Sequence, residues 1–176
     1  MSYSFAQAVK IAIQRVSSMD AVDGGVSIVQ EDTKEFDAGW VFYYQSTRFL
    51  ETGNQSYLLA GNAPLFVARS DGKATFVSYH RPLNESMAAY RACGNPNARE
   101  IPKVQLTGWH PGALSVTAIQ VVRQHSAIGL GEAKRVVDGC LANEKPVVST
   151  PDVASARALV QSLASAGFVG ELQYDG

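Results

Sequence analysis

Hydrophobic and polar positions along this chain fall into segments of two different periods. Near the N-terminus Phe5, Ala8, Val9, Ala12, Ile13 and Val16 recur at helical spacing, a stripe that predicts an amphipathic helix lying on a sheet. Ser4 and Gln7 have the Ser-x-x-Gln form of a capping box, which places the start of that helix. Gly24 and Gly25 break the pattern, and residues 26–29 read as a first strand. The run Trp40-Val-Phe-Tyr-Tyr44 is dense in aromatic and β-branched side chains, which suit a pleated surface better than a helix, and predicts a central strand. Two short apolar runs, 65–69 and 74–77, flank Ser70-Asp-Gly-Lys73. Asp-Gly predicts a two-residue type I′ hairpin turn. In that register Val67 faces Phe76 and Ala68 faces Thr75, leaving a large apolar face that a helix should cover. Arg81-Pro82 ends the strand, Asn84 is placed to cap a short helix through Tyr90, and Gly94 to stop it.

Residues 94–103, Gly-Asn-Pro-Asn-Ala-Arg-Glu-Ile-Pro-Lys, are poor in apolar side chains and predict a linker. Beyond them residues 104–109 are strand-like, and Leu114, Ile119 and Val122 belong to a helix that breaks near Gly129. Leu130, Ala133, Val136 and Val137 stripe a second helix, and residues 145–148 form a short strand. Thr150-Pro151-Asp152 predicts a third helix start, with Thr150 as N-cap and Pro151 at the first helical position. Ala156, Leu159, Val160 and Leu163 form its buried stripe, Gly167 suits the C′ position, and residues 168–173 return as a strand. The chain therefore predicts an α+β fold in two domains. Residues 1–93 give a helix with an antiparallel sheet, and residues 104–176 a β-α-α-β-α-β unit.

Composition narrows the function. With 176 residues and 46% hydrophobic side chains the chain can bury a real core. A formal net charge of −1 argues against binding nucleic acid or an anionic membrane by bulk electrostatics. A protein or small-molecule partner fits better. No basic-then-apolar leader opens the sequence and no apolar run nears the roughly 20 residues of a membrane span, so a cytoplasmic protein is expected. Cys93 and Cys140 are far apart and read as ordinary reduced thiols.

Residues 40–90 resemble the immunity protein 35, or YrhB-like, family of bacterial toxin-neutralising proteins. The likeness rests on Gly39-Trp-Val-Phe42, Thr52-Gly53, Leu59-Ala-Gly-Asn-Ala-Pro64 and Asp71-Gly72. Residues 114–173 resemble the C-terminal domain of the bacterial ribosomal stalk protein in Val116-Thr-Ala-Ile-Gln-Val-Val-Arg123, Gly129-Leu-Gly-Glu-Ala-Lys-Arg-Val-Val-Asp138 and Ala164-Ser-Ala-Gly167. Ser115 and Gln120 stand where stalk domains carry factor-binding lysines, while Arg123 and Lys134 remain. The first resemblance implies a protein that blocks a cognate toxin stoichiometrically. The alternative it leaves open is an adaptor or small chaperone.

The catalytic search is thin. His80, His110 and His125 have no metal-ligand spacing, a Cys93 nucleophile with His80 as base has no local motif, and GxGxxG fails at Lys134. No enzyme activity, cofactor or metal is expected. For toxin binding, Glu31, Asp32, Glu35 and Asp37 cluster in a segment read as an exposed connection, which is either plain solvated surface or a docking patch for a basic partner. Strand alternation puts Tyr43 on the face opposite Trp40, Phe42 and Tyr44, as a candidate aromatic anchor.

Overall fold

The computed structural model describes residues 2–19 and 24–176, which divide between Asn97 and Ala98 into two compact units. The first opens with helix α1 (Phe5–Ser17) and has a four-stranded antiparallel sheet ordered β1 (Val26–Phe36), β2 (Gly39–Ser46), β3 (Leu65–Ala68), β4 (Ala74–Phe76). A short helix α2 (Thr47–Thr52) and a 3₁₀ turn (Gln55–Tyr57) connect β2 to β3, and α3 (Leu83–Cys93) closes the unit. The expected α+β class is what forms.

The capping box at α1 is complete, with the Ser4 hydroxyl accepting from the Gln7 N–H and the Gln7 side chain accepting from the Ser4 N–H at 2.8 Å. Small side chains then bring this helix close to the sheet: Ala8, Ala12 and Val16 are buried against Trp40, Phe42, Tyr44, Leu65 and Val67. Phe5 and Ile13, expected in the same stripe, lie at its margin and stay nearly half exposed, although the Phe5 ring is 6.1 Å from Trp40. The opposite face of the sheet packs Val41, Phe66 and Ala68 against Met87 of α3, and Tyr90 meets Phe66 edge-on at 4.7 Å. Covering on both sides explains why β2 reads as an almost unbroken apolar run.

Three local expectations are corrected. The β3–β4 hairpin pairs Leu65 with Phe76, Phe66 with Thr75 and Val67 with Ala74, so its loop is longer than two residues. A type I′ turn needs positive φ at both central residues. Here Gly72 takes it (φ +70°) and Asp71 does not; the Asp71 carboxylate accepts the Lys73 N–H at 2.9 Å instead. Of the segment 30–37, residues 30–36 are not a connection but the second half of β1, which includes an irregularity in the ladder between Val29 and Lys34, and only Asp37 lies in the turn. The N-cap of α3 is Pro82, with Asn84 already inside the helix, while Gly94 ends it as expected. Gly72→Val should destabilise the first unit by about 2 kcal/mol or more, because strain at positive φ adds to crowding. Its β-carbon would lie 2.7 Å from the Tyr3 ring. A urea midpoint equal to wild type would contradict this.

The second unit is β5 (Glu100–Trp109), α4 (Ser115–His125), α5 (Leu130–Leu141), β6 (Val147–Ser149), α6 (Val153–Ser165) and β7 (Phe168–Tyr174), the expected order, with an antiparallel sheet ordered β6-β5-β7. Its core joins Val104, Leu106 and Phe168 to Val122, Val137, Leu159 and Leu163. The stretch 94–103 expected as a linker holds the first four residues of β5, with Pro102 taken up at a register shift between Ile101 and Val104. Glu100, at the strand's start, pairs two-pronged with Arg157 of α6 at 2.8 and 2.9 Å.

The N-cap of α6 is Asp152 rather than Thr150; its carboxylate accepts the Ser155 N–H at 2.7 Å, and the Thr150 hydroxyl instead bonds the Asp152 carbonyl. The Ser155 backbone N–H is the main influence holding the Asp152 carboxyl below its ordinary value. A carboxyl lowered in the folded state stabilises above its unfolded pKa, and that contribution disappears as pH falls through the lowered value. Asp152→Asn, which still caps, should therefore match wild type near neutrality and lose less stability than wild type on acidification, while Asp152→Ala should be less stable at neutral pH. Urea unfolding between pH 7 and pH 3 reads both effects.

Candidate functional site

The strand β2 ends in Tyr43, Tyr44 and Gln45, and the loop after it folds back over that end. The Gln45 side chain clamps Leu59, accepting its N–H at 2.6 Å and donating to its carbonyl at 3.1 Å. Asn62 donates its amide to the Tyr44 carbonyl at 2.7 Å, and the Tyr79 hydroxyl donates to the Asn62 carbonyl at 3.0 Å. The Leu59-Ala-Gly-Asn-Ala-Pro64 motif is therefore a strap tying the β2–β3 connection to the central strand, and the loop following β4 to both.

That strap leaves a surface cleft of about 300 Å³ bordered by Val29 and Asp32 of β1, Tyr43 and Tyr44 of β2, Phe49 and Leu50 of α2, and Tyr79. The three tyrosines are close enough to influence one another. Burial pushes the Tyr44 hydroxyl up, with a smaller push from Tyr79, and burial likewise raises Tyr79, with a smaller push from Tyr43. A raised phenol stays protonated at physiological pH, so Tyr44 and Tyr79 are neutral there. Tyr79 is 64% exposed and Leu50 46%, so the rim offers open apolar surface.

The five residues expected to meet a partner divide into two groups. Asp32 and Tyr43 line the cleft together, and Glu31 is exposed beside Asp32 on β1. Among the described residues Glu31 and Asp32 carry no ion pair. Glu35 and Asp37 are engaged within the chain. Glu35 pairs with Arg69 at 2.6 Å, whose guanidinium also lies 4.1 Å over the Trp40 ring, and Asp37 pairs with Arg91 at 2.9 Å. The Ala38 N–H is the largest influence holding Asp37 below the ordinary carboxylate range, with Arg91 adding to it. Tyr43 lies, as alternation requires, on the face away from Trp40, Phe42 and Tyr44. It is half-buried beside the α3-side core, and the Lys34 ammonium sits 5.9 Å from its ring centroid.

Sequence reasoning missed Tyr79, the most exposed aromatic ring of the cleft. It stands in a loop with no periodic context, and the only signal for it was an aromatic side chain isolated between polar neighbours. Cys93 and His80, weighed as nucleophile and base, each bond elsewhere. The Cys93 thiol donates to the Ala89 carbonyl, while His80 Nδ1 is hydrogen-bonded to the Ser78 hydroxyl at 2.5 Å. No group of three or more His, Cys, Asp or Glu among the described residues is placed to hold a metal, and no described helix is long and apolar enough to cross a membrane.

A helix-covered antiparallel sheet with a strapped aromatic cleft is thus the setting in which likeness to known proteins is found. Residues 6–92, nearly the whole first unit, match the family model described as immunity protein 35. The chain is also similar to a protein of Escherichia coli strain K12 named as the uncharacterized protein YrhB, 36% identical over 55 residues, which is 31% of this chain. The chain spans 58% of that relative's length. No solved structure matches the chain. The family match stops before the second unit, and the resemblance to the ribosomal stalk domain expected there is not supported by the comparisons.

Proposed function

We propose that this chain is an immunity protein that holds a cognate protein toxin in a stoichiometric complex and acts by occlusion, not catalysis. The observation that carries this reading is the match of residues 6–92 to the immunity protein 35 family. The cleft supplies what such a surface needs. Tyr79, Leu50 and Tyr43 provide ring and apolar area to slow release, and unpaired Glu31 and Asp32 provide a field that speeds encounter with a basic surface. Co-expression with a candidate toxin from a neighbouring gene tests the reading. Survival of the cells and a purified 1:1 complex are expected, and a toxin that kills cells carrying the chain, with no complex formed, overturns it.

A second reading, adaptor or small chaperone, draws on the second unit. Val116 and Leu130, in the first turns of α4 and α5, are 71% and 60% exposed. Weak binding to many unfolded chains, in place of tight binding to one toxin, would favour it.

A further inference from the structure

We propose that the tyrosine cleft of the first unit receives an arginine side chain of the partner, its guanidinium stacked on the exposed Tyr79 ring and paired with the Asp32 carboxylate. This rests on the reading that the chain holds a protein partner, and it adds the chemistry by which that partner is recognised.

The cleft has the two components a guanidinium needs. Tyr79 presents an open ring whose hydroxyl is fixed to the Asn62 carbonyl, and Asp32, which lines the same cleft, has no ion pair among the described residues. The Lys34 ammonium already lies 5.9 Å from the Tyr43 ring centroid, so a positive group is accommodated at this tyrosine cluster without lying over the Tyr79 ring. With Glu31 exposed next to Asp32, the local charge stays negative, so a second cation is attracted and an anion is not.

Arginine is favoured over lysine by its planarity and weaker hydration, since a guanidinium can lie flat on a ring and hydrogen-bond a carboxylate at once. The same unit builds that arrangement internally. Arg69 lies 4.1 Å from the Trp40 ring centroid and reaches Glu35 at 2.6 Å. The cleft repeats the ring and the carboxylate without the arginine.

The probe is N-acetyl-arginine amide, titrated into the full chain carrying ¹³C-labelled tyrosine rings, with the citrulline amide as its neutral isostere and the lysine amide as the alternative cation. Saturable shifts of the Tyr79 ring signals, with Kd on the order of millimolar for so small a ligand, are expected with arginine and not with citrulline. Asp32→Asn should weaken the response at least tenfold, and Tyr79→Phe, which keeps the ring, should retain it at the remaining tyrosine signals. No shift, equal shifts with citrulline or lysine, or a response unchanged in Asp32→Asn overturns the inference. Failure of the broader reading is distinguishable. A chain that forms the 1:1 toxin complex but ignores arginine amide loses this inference alone, whereas one that takes arginine amide but no toxin loses the proposed function.

Discussion

Gly39→Ala is expected to destabilise the first unit by about 3 kcal/mol or more, through backbone strain and overpacking together. Gly39 starts the central strand directly opposite Ala68, at φ +153°, and a β-carbon there would stand 2.2 Å from the Val67 carbonyl oxygen and 3.0 Å from Ala68 Cα and Arg69 N. All three are backbone atoms, two in the fully buried β3 and the third in the residue just past its end, so no side-chain rotation relieves the contact. The neighbouring Trp40 is 1% exposed and sits on α1, so pushing β3 away at this point opens the larger of the two interfaces on the sheet. Urea unfolding followed by circular dichroism should show the first unit melting well below the second. A midpoint unchanged from wild type would contradict the steric account of Gly39 in the Gly-Trp-Val-Phe motif.

The second large effect concerns encounter. Glu31→Lys with Asp32→Lys changes the cleft's edge from net negative to net positive, and association with a basic toxin surface should slow by about tenfold or more at low salt, with a flatter salt dependence. Glu35→Lys is a poor addition to that pair of changes. It breaks the ion pair with Arg69 and disturbs the guanidinium over Trp40, so its effect would mix binding with stability. Stopped-flow association rates across a salt series read the outcome, and rates indistinguishable from wild type would remove Glu31 and Asp32 from the recognition surface.

Much of the framework is legible in the residues because each signal is local. The Ser4–Gln7 box, the aromatic density of β2, Gly94 and the β-α-α-β-α-β order all follow from neighbours within a few positions. What was not legible depends on partners far along the chain. Asp71-Gly72 marks the hairpin, but its register follows from the Asp71 carboxylate taking the Lys73 N–H, a competition that the dipeptide does not reveal. Residues 30–36 look like a loop because an edge strand carries charge where a central one cannot, and only pairing with β2 makes them strand. The linker expectation failed at Glu100, whose partner Arg157 is on a helix 57 positions away. The site was half legible. Alternation alone places Tyr43, whereas the engagement of Glu35 and Asp37 by Arg69 and Arg91, and the arrival of Tyr79 at the same cleft, are products of the fold.

The central claim is that the first unit, through its cleft, is what holds the toxin. Dissociation rates of the full chain from the cognate toxin test it most directly, comparing Tyr79→Ala with the pair Val116→Asp and Leu130→Asp on the second unit. All three side chains are well exposed, so none of the changes should unfold the protein. Tyr79→Ala should speed release by about tenfold or more, the consequence of losing roughly 1.4 kcal/mol or above at a buried anchor, while the second-unit pair leaves the rate at wild type. Wild-type release from Tyr79→Ala together with loss of binding in the Val116 and Leu130 variant would contradict the claim and move recognition to the second unit.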